Sequence, residues 1–211
     1  MTARRKLIRR TALAATAGVA ALVLAACGGG DGGHDMGSME SDSSPSASAP
    51  AKAGDHNDAD MDFATEMVQH HRQAVDMAEL AADRASSQEV KDLAMKIKGA
   101  QDPEIKTMSG WLTSWGEEAP ADMSGMEGHD MSPGMPGMMS SEDMDKLTKA
   151  SGAEFDEMFL EMMVEHHEGA IEMARTEKAD GKYSPATKLA DDVITAQTAE
   201  IEQMNKMLGQ S

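Results

Sequence analysis

The sequence predicts an all-α protein, a four-helix bundle made of two duplicated helical hairpins. A shift of 96 positions aligns residues 63–112 with 159–208 without a gap, and 16 of the 50 aligned pairs are identical. A match of this length indicates an internal duplication. Within each copy, apolar residues recur every three or four positions, which is typical of a helix that buries one face. Two such hairpins are expected to pack as a four-helix bundle.

The first copy contains signals for two helices. One face of the first helix is predicted to carry a regular stripe: Phe63, Met67, His70, Ala74 and Met77. The pattern Ser86-x-x-Glu89 matches a capping box that would begin the second helix. Pro103 lies inside that second helix and is expected to kink or interrupt it, because proline lacks the N–H that a helix needs.

The second copy contains the corresponding signals. The pattern Ser151-x-x-Glu154 matches a capping box that would begin its first helix, and Gly181 is expected to end that helix. Ser184-Pro185 would begin the next helix, because proline is tolerated in the first turn.

The N-terminal 26 residues resemble a lipoprotein signal peptide. A basic stretch at 4–10 precedes an apolar run at 13–26, which is shorter than the roughly 20 residues of a membrane-spanning helix. The run ends in L-A-A-C, which resembles a lipobox, so Cys27 is predicted to carry a lipid on the extracytoplasmic face of the cell membrane. An ordinary secretory signal is the alternative. Cys27 is the single cysteine of the chain, which excludes a disulfide scaffold.

Composition divides the remaining chain. Residues 27–60 are rich in Gly, Ser, Ala, Pro and Asp, and are predicted to form a disordered stalk. The duplicated domain is predicted over 61–211. It comprises a first repeat at 61–115, a linker rich in Met, Gly and Pro at 116–140, and a second repeat at 141–209.

The charge of the chain excludes one class of partner. The sequence has 19 Lys and Arg against 37 Asp and Glu, a formal net charge of −18 at pH 7. This negative field would repel a phosphate backbone, so nucleic acid is not an expected partner. It would attract cations.

Two His-His pairs occupy equivalent positions in the two copies. His70-His71 and His166-His167 lie on the predicted inner face of the first helix of each copy. The facing stripe of the second helix offers amide and carboxylate groups: Gln101, Glu104, Gln197 and Glu200. These residues could form a purely structural hydrogen-bond network across the bundle. The imidazoles could also bind a metal ion, with the facing groups orienting them from behind.

Methionine is the second unusual feature, with 21 residues. The helical stripes place four of them near the histidines: Met67, Met77, Met163 and Met173. A methionine stripe alone is more often core than ligand. However, the tripeptide His-Asp-Met recurs at 34–36 and 129–131, outside the predicted helices, where no core needs methionine. Low-complexity drift is the alternative explanation for these segments.

Thioether and imidazole together suit Cu(I), and silver as its chemical mimic. Copper is therefore the predicted ion, ahead of iron or zinc. The predicted ligands are His70, His71, His166 and His167, with Met67, Met77, Met163 and Met173 as soft ligands. Weaker auxiliary capture is predicted at four residues of the stalk and linker: His34, Met36, His129 and Met131.

A carboxylate-bridged di-iron enzyme is an alternative that four-helix bundles can house through Glu-x-x-His motifs. Here the residues three positions before His70 and His166 are Met67 and Met163, so that motif is absent. A helical module that binds a partner and no metal is the second alternative.

The repeated motif resembles a known family. The pattern F-x3-M-V-x-H-H-x2-A-[VI]-x-M-A at 63–78 and 159–174 is similar to that of the bacterial domain-of-unknown-function family numbered 305. So is Q-x2-E-I-x2-M-x2-W-L at 101–112. The resemblance covers about 61–209. It implies a ferritin-like four-helix bundle, secretion and, in some members, copper binding or copper resistance. The combined prediction is a lipid-anchored, non-enzymatic protein that buffers copper or passes it to a partner.

Overall fold

The computed structural model describes residues 54–121 and 134–210. The predicted signal peptide, Cys27 and the His-Asp-Met tripeptides at 34–36 and 129–131 lie outside the described residues. None of the helices in the described ranges is long and apolar enough to cross a membrane.

The described residues form five helices. They are α1 (Asp58–Arg84), α2 (Gln88–Trp115), α3 (Ser141–Lys149), α4 (Ala153–Asp180) and α5 (Ser184–Met207). Helices α1 and α2 pack as one hairpin, α4 and α5 pack as the other, and α1 contacts α4. The predicted all-α fold with two helical hairpins is confirmed.

The short helix α3 is an addition that the repeat does not predict. Ser140 caps its N-terminus by accepting a hydrogen bond from the N–H of Asp143. Leu147 is fully buried and joins the core. A helix of nine residues is too short to show a convincing period in sequence, and burial of Leu147 helps to hold it in place.

Two of the predicted helix starts are shifted. The N-cap of α2 is Ser87 rather than Ser86, and its hydroxyl accepts from the N–H of Val90. Helix α4 begins after Gly152, which has a φ of 68° and no side-chain cap, so the predicted capping box at Ser151 is wrong. The Ser-x-x-Glu pattern requires a specific backbone entry into the helix, which neither segment adopts.

Pro103 does not interrupt its helix. Helix α2 runs through Pro103 from Gln88 to Trp115, so of the predicted kink or interruption the interruption is wrong, and the kink stays a prediction. A proline in a helix interior costs about 3 kcal/mol. Ile97 and Met108, on either side of Pro103, are completely buried, and their packing offsets this cost.

The core consists of two apolar clusters. We call them cluster A and cluster B. Cluster A includes the following buried side chains: Met77, Leu93, Ile97, Phe155, Phe159 and Met163. Cluster B includes these: Phe63, Met67, Val68, Met108, Leu112 and Met173.

The four predicted histidine ligands lie between the clusters. Helix α1 contributes to cluster B before His70 and to cluster A after His71. Helix α4 does the reverse, contributing to cluster A before His166 and to cluster B after His167. The two helices therefore run in opposite directions, and their His-His pairs meet at one level of the bundle.

Candidate metal centre

The four imidazoles form a buried polar layer. All of them are fully buried, and the ring centroids of His70 and His166 are 3.7 Å apart with an angle of 43° between the ring planes. Burial, followed by repulsion from neighbouring imidazoles, lowers the pKa of His70 to about 3. Burial also lowers the pKa of His166 well below its ordinary value, and the pKa of His167 is lowered mainly for the same reason. These rings are therefore neutral at pH 7, which is the form that binds metal ions.

The carboxylates predicted to face the histidines do contact them. Nε2 of His71 lies 2.7 Å from Oε2 of Glu104, and Nε2 of His167 lies 2.9 Å from Oε2 of Glu200. Because a carboxylate accepts the hydrogen bond, each ring donates from Nε2. In a neutral ring this leaves the lone pair on Nδ1, so Nδ1 is the atom available to a metal ion.

The ring of His70 has a different partner. Its Nε2 donates to the backbone carbonyl of Pro136 at 3.1 Å. Pro136 belongs to residues 134–140, here called the strap, which lead into α3. The sequence reading missed this contact because it assigned the strap to the linker, and no local pattern indicates that the segment returns to the histidines.

Several ring nitrogens in the layer have no hydrogen-bond partner. In the described part of the chain these buried atoms are Nδ1 of His70, His71 and His167, and both ring nitrogens of His166. A buried polar atom without a partner costs about 1–3 kcal/mol. The unpartnered nitrogens of His70 and His166, whose ring centroids are 3.7 Å apart, are donor atoms of the kind that a soft metal ion prefers, so the residues present fit copper.

The predicted methionine ligands divide into two groups. Met67 and Met163 precede His70 and His166 by three residues, which is about 4.5 Å along the helix axis, and both are completely buried. Met77 and Met173 follow the same histidines by seven residues, or about 10 Å. Their thioethers pack in clusters A and B respectively. Met67 and Met163 are therefore the methionines nearest to the layer along these helices.

The predicted orienting residues are not equivalent in their surroundings. Gln101 and Gln197 are buried, and their Oε1 atoms have no hydrogen-bond partner within 54–121 and 134–210. Glu200 also contacts Nζ of Lys96 at 3.3 Å. Burial opposes ionisation of Glu200, but its bond to His167 and the charge of Lys96 outweigh burial and lower its pKa.

The donor set is poor in oxygen ligands. Within residues 54–121 and 134–210, no three His, Cys, Asp or Glu side chains are arranged as a metal-binding group, so the four predicted histidine ligands do not form a single group here. Glu104 and Glu200, the inward carboxylates of the predicted site, each contact an imidazole. The compact donor set is therefore the adjacent, tilted rings of His70 and His166 together with the thioethers of Met67 and Met163 one turn away.

A duplicated hairpin with a buried His-His pair in each copy defines the class of protein. Residues 60–208 match the family described as Domain of unknown function (DUF305), and the chain belongs to this family. A search of curated protein sequences found no match.

Solved structures of related proteins share this fold. A DUF305 protein of Streptomyces coelicolor, described as a candidate secreted protein, is 32% identical, with a TM-score of 0.64 over 72% of this chain and 93% of that chain. CopM in its Cu(I)-bound form is 34% identical, with a TM-score of 0.58 over 70% of this chain and 94% of that chain. CopM in its Cu(II)-bound form is 37% identical, with a TM-score of 0.60 over the same shares of the two chains.

Proposed function

We propose that this protein binds copper as Cu(I), and silver in its place, in the buried histidine layer. The observation that carries the proposal is the set of unpartnered ring nitrogens around His70 and His166. Neutral imidazoles and thioethers are soft donors, which Cu(I) prefers over carboxylates. Glu104 and Glu200 would hold His71 and His167 in one orientation and raise the basicity of the rings.

The relatives support the choice of ion. CopM is 34–37% identical to this chain and has been solved with Cu(I), Cu(II) and silver bound. The relatives with known ligands are metal-binding proteins, so we propose binding rather than catalysis. The protein would buffer copper, contribute to resistance or deliver the ion to a partner.

The ligand set is part of the proposal. His70 and His166 would be the primary ligands, with Met67 and Met163 as the soft ligands nearest to them. His71 and His167 would complete the set only if a bound ion drew their rings closer, because no three His, Cys, Asp or Glu side chains form a metal-binding group among the described residues. Met77 and Met173 would take part only if the ion occupied a second position, because they lie two turns away.

The location is a second part of the proposal. The signal at 1–26 would export the chain, and a lipid on Cys27 would hold it at the outer face of the cell membrane. The predicted stalk ends earlier than residue 60, because α1 begins at Asp58 and Asp60 is buried. The part that precedes the described residues would separate the anchor from the helical domain.

The predicted capture residues of the linker would act close to the layer. Arg72 donates to the carbonyl groups of Pro120 and Ala121, and Gln73 binds Met139 through its side chain. Residues 122–133 are therefore joined at both ends to segments held by α1 beside His70. Tethering of this kind raises the effective concentration of an ion captured by His129 or Met131.

A Cu(I) competition titration against a chromogenic chelator tests the proposal. The protein would be residues 27–211 with Cys27→Ser, compared with a variant in which His70, His71, His166 and His167 are all changed to Ala. We expect the parent to remove Cu(I) from the chelator and the variant to lose this ability. His56→Ala is the matched control, because His56 stacks on Trp115 away from the layer.

A third protein, lacking residues 122–133, separates the layer from the linker. We expect it to retain tight binding. Full copper binding by a correctly folded quadruple histidine variant would contradict the proposal. Loss of copper binding in the protein that lacks 122–133 would assign the binding site to the linker instead. If the parent binds no copper and the quadruple histidine variant differs from it only in melting temperature, the histidines form a purely structural hydrogen-bond network.

A further inference from the structure

The strap is fixed to α1 by a pair of buried hydrogen bonds. The side-chain amide of Gln73 donates to the carbonyl of Met139 at 2.9 Å, and its Oε1 accepts from the N–H of Met139 at 2.7 Å. The side chain of Met139 is itself buried in cluster A. Gln73 therefore binds both polar groups of one strap residue and determines where the strap crosses α1.

Two glycines let the strap lie directly on α4. Gly137 has a φ of 72°, and a Cβ there would lie 2.7 Å from the carbonyl oxygen of Glu165. A Cβ on Gly169 would collide with the carbonyl oxygen of Pro136. Any side chain at either position would push the strap away from α4, so the close approach depends on glycine.

The strap meets equivalent positions of the two copies in opposite ways. The shift of 96 positions pairs Gln73 with Gly169. Gln73 binds the strap, and Gly169 provides the space for it. As a result, the strap gives a hydrogen-bond acceptor to His70, whereas the equivalent His166 has no hydrogen-bond partner among the described residues.

We propose that the strap positions His70 for metal binding, a role that rests on the proposed function. The carbonyl of Pro136 holds His70 in the tautomer protonated at Nε2, and this reserves Nδ1 for the ion. Gln73 and Gly169 are positioning residues, because they act on His70 only by fixing the strap. The carbonyl does for His70 what Glu104 and Glu200 do for His71 and His167.

The expected size of the effect follows from other metal sites. Removing the hydrogen-bond acceptor of the ring nitrogen that does not bind the metal weakens metal binding by roughly 10–100-fold. His70 has this one hydrogen bond, and its other ring nitrogen is unpartnered within the described residues. Displacing the strap should therefore affect His70 without altering any ligand.

Gly169→Ala is the most direct test. The added methyl group would occupy the position of the Pro136 carbonyl, while alanine stabilises the interior of α4. Gln73→Met removes both hydrogen bonds to Met139 and keeps a side chain of similar length. Gly110→Ala is the matched control, since it makes the same change in α2, where a Cβ would meet nothing within 4 Å.

Two readouts are needed. The first is the pair of ¹⁵N chemical shifts of the His70 ring in copper-free protein, which report the tautomer. We expect one tautomer protonated at Nε2 in the parent and in Gly110→Ala, and exchange between tautomers in Gly169→Ala and Gln73→Met. The second is the Kd for Cu(I), which we expect to rise at least about tenfold in both strap variants and to stay unchanged in the control.

The readouts distinguish the ways in which the inference can fail. Unchanged tautomer signals in both strap variants would overturn it, whatever happens to the affinity. Tighter copper binding in the variants would also overturn it, because the strap would then obstruct the layer. If the parent binds no copper, the proposed function fails, and the positioning of His70 for metal fails with it. Gly169→Ala weakening copper binding with an unchanged tautomer would show an effect that does not pass through His70.

Discussion

The two hairpins carry equivalent donor residues in different surroundings. The side chain of Glu104 in the first hairpin is 23% exposed, whereas that of Glu200 in the second is 5% exposed. Glu200 is also paired with Lys96, while the position equivalent to Lys96 is Asp192, which pairs with Lys188. Duplication preserved the residues that face the layer, but the residues around them have diverged. The two halves of a metal site can therefore differ in strength although their donors are the same.

The two hairpins also differ in the hydrogen bonds that join the first helix of each to the loop of the other. Asp60 accepts hydrogen bonds from the N–H groups of Lys182 and Tyr183, in the loop of the second hairpin. The equivalent Asp156 accepts from Ser86 and Ser87, in the loop of the first. Each hairpin thus caps the loop of the other, and the sequence reading missed both aspartates because their partners are far away in the chain.

The surroundings of the two aspartates differ in burial. Asp60 is fully buried beside Glu177, while Asp156 is partly exposed and the position equivalent to Glu177 is Ala81. Burial opposes ionisation of Asp60, but hydrogen bonds from Asn57, Tyr183 and other donors outweigh burial and lower its pKa. The first capping site therefore contains an ionised buried carboxylate next to a second carboxyl group.

The largest difference between the halves is expected from removing these aspartates one at a time. Asp60→Ala leaves the partly buried N–H groups of Asn57, Lys182 and Tyr183 without their acceptor and should lower the free energy of unfolding by about 3 kcal/mol. Asp156→Ala should cost about 1–2 kcal/mol, because water reaches the vacated groups. Urea denaturation followed by circular dichroism measures both. Equal losses would show that the two capping sites are equivalent after all.

A pH profile tests the carboxyl pair that only the first site has. Burial, reinforced by Asp60, raises the pKa of Glu177 to about 8. The folded state therefore keeps a proton that the unfolded chain releases near its ordinary pKa of 4.5. The contribution of Glu177 to the free energy of unfolding is therefore complete below pH 4.5. It is lost as the pH rises to about 8, by up to roughly 1.4 kcal/mol per pH unit.

Glu177→Gln keeps the size of the side chain and removes its titration. We expect the variant to be more stable than the parent at pH 8–9, with a melting temperature that varies less between pH 5 and 9. The exposed Glu172 on the same helix provides the control, Glu172→Gln. Parallel profiles for the parent and Glu177→Gln would mean that the buried pair does not hold a proton.

The two carboxylates that face the layer provide the next comparison. Glu200→Gln should weaken Cu(I) binding by about tenfold, because His167 loses a buried charged acceptor. Glu104→Gln should have a smaller effect, since Glu104 is more exposed and water can replace it. Competition titrations of both variants measure the ratio. A larger loss for Glu104→Gln would assign the stronger half of the site to the first hairpin.

The smallest effect is expected at Lys96. Its side chain is 59% exposed, and exposed ion pairs contribute about 0–1 kcal/mol. Lys96→Ala should change the free energy of unfolding by less than about 1 kcal/mol and should leave the contact between His167 and Glu200 in place. Thermal denaturation at low and high salt checks this, and a loss that high salt does not reduce would contradict it.

Most side chains of the histidine layer could be predicted to face inward, because the geometry of a helix repeats every three to four residues. His70 and His166 share a stripe with buried apolar residues, and the duplication places Glu104 and Glu200 at matching positions on the partner helices. A spacing of three and four residues is enough to predict which side chains face inward. The shift of the α2 cap from Ser86 to Ser87 shows the limit, because a cap depends on the backbone just outside the helix.

The sequence by itself determined the four long helices, the duplication, the family and the inward placement of the histidines, since each depends on neighbours within a few turns. Only the tertiary structure decided how each imidazole is held. The contacts of His70 with Pro136 and of Gln73 with Met139 each join residues 66 positions apart. Such contacts depend on how the two hairpins pack, and no spacing within the chain encodes them. This packing gives His70 a hydrogen-bond partner and, within the described part of the chain, leaves its duplicate, His166, without one.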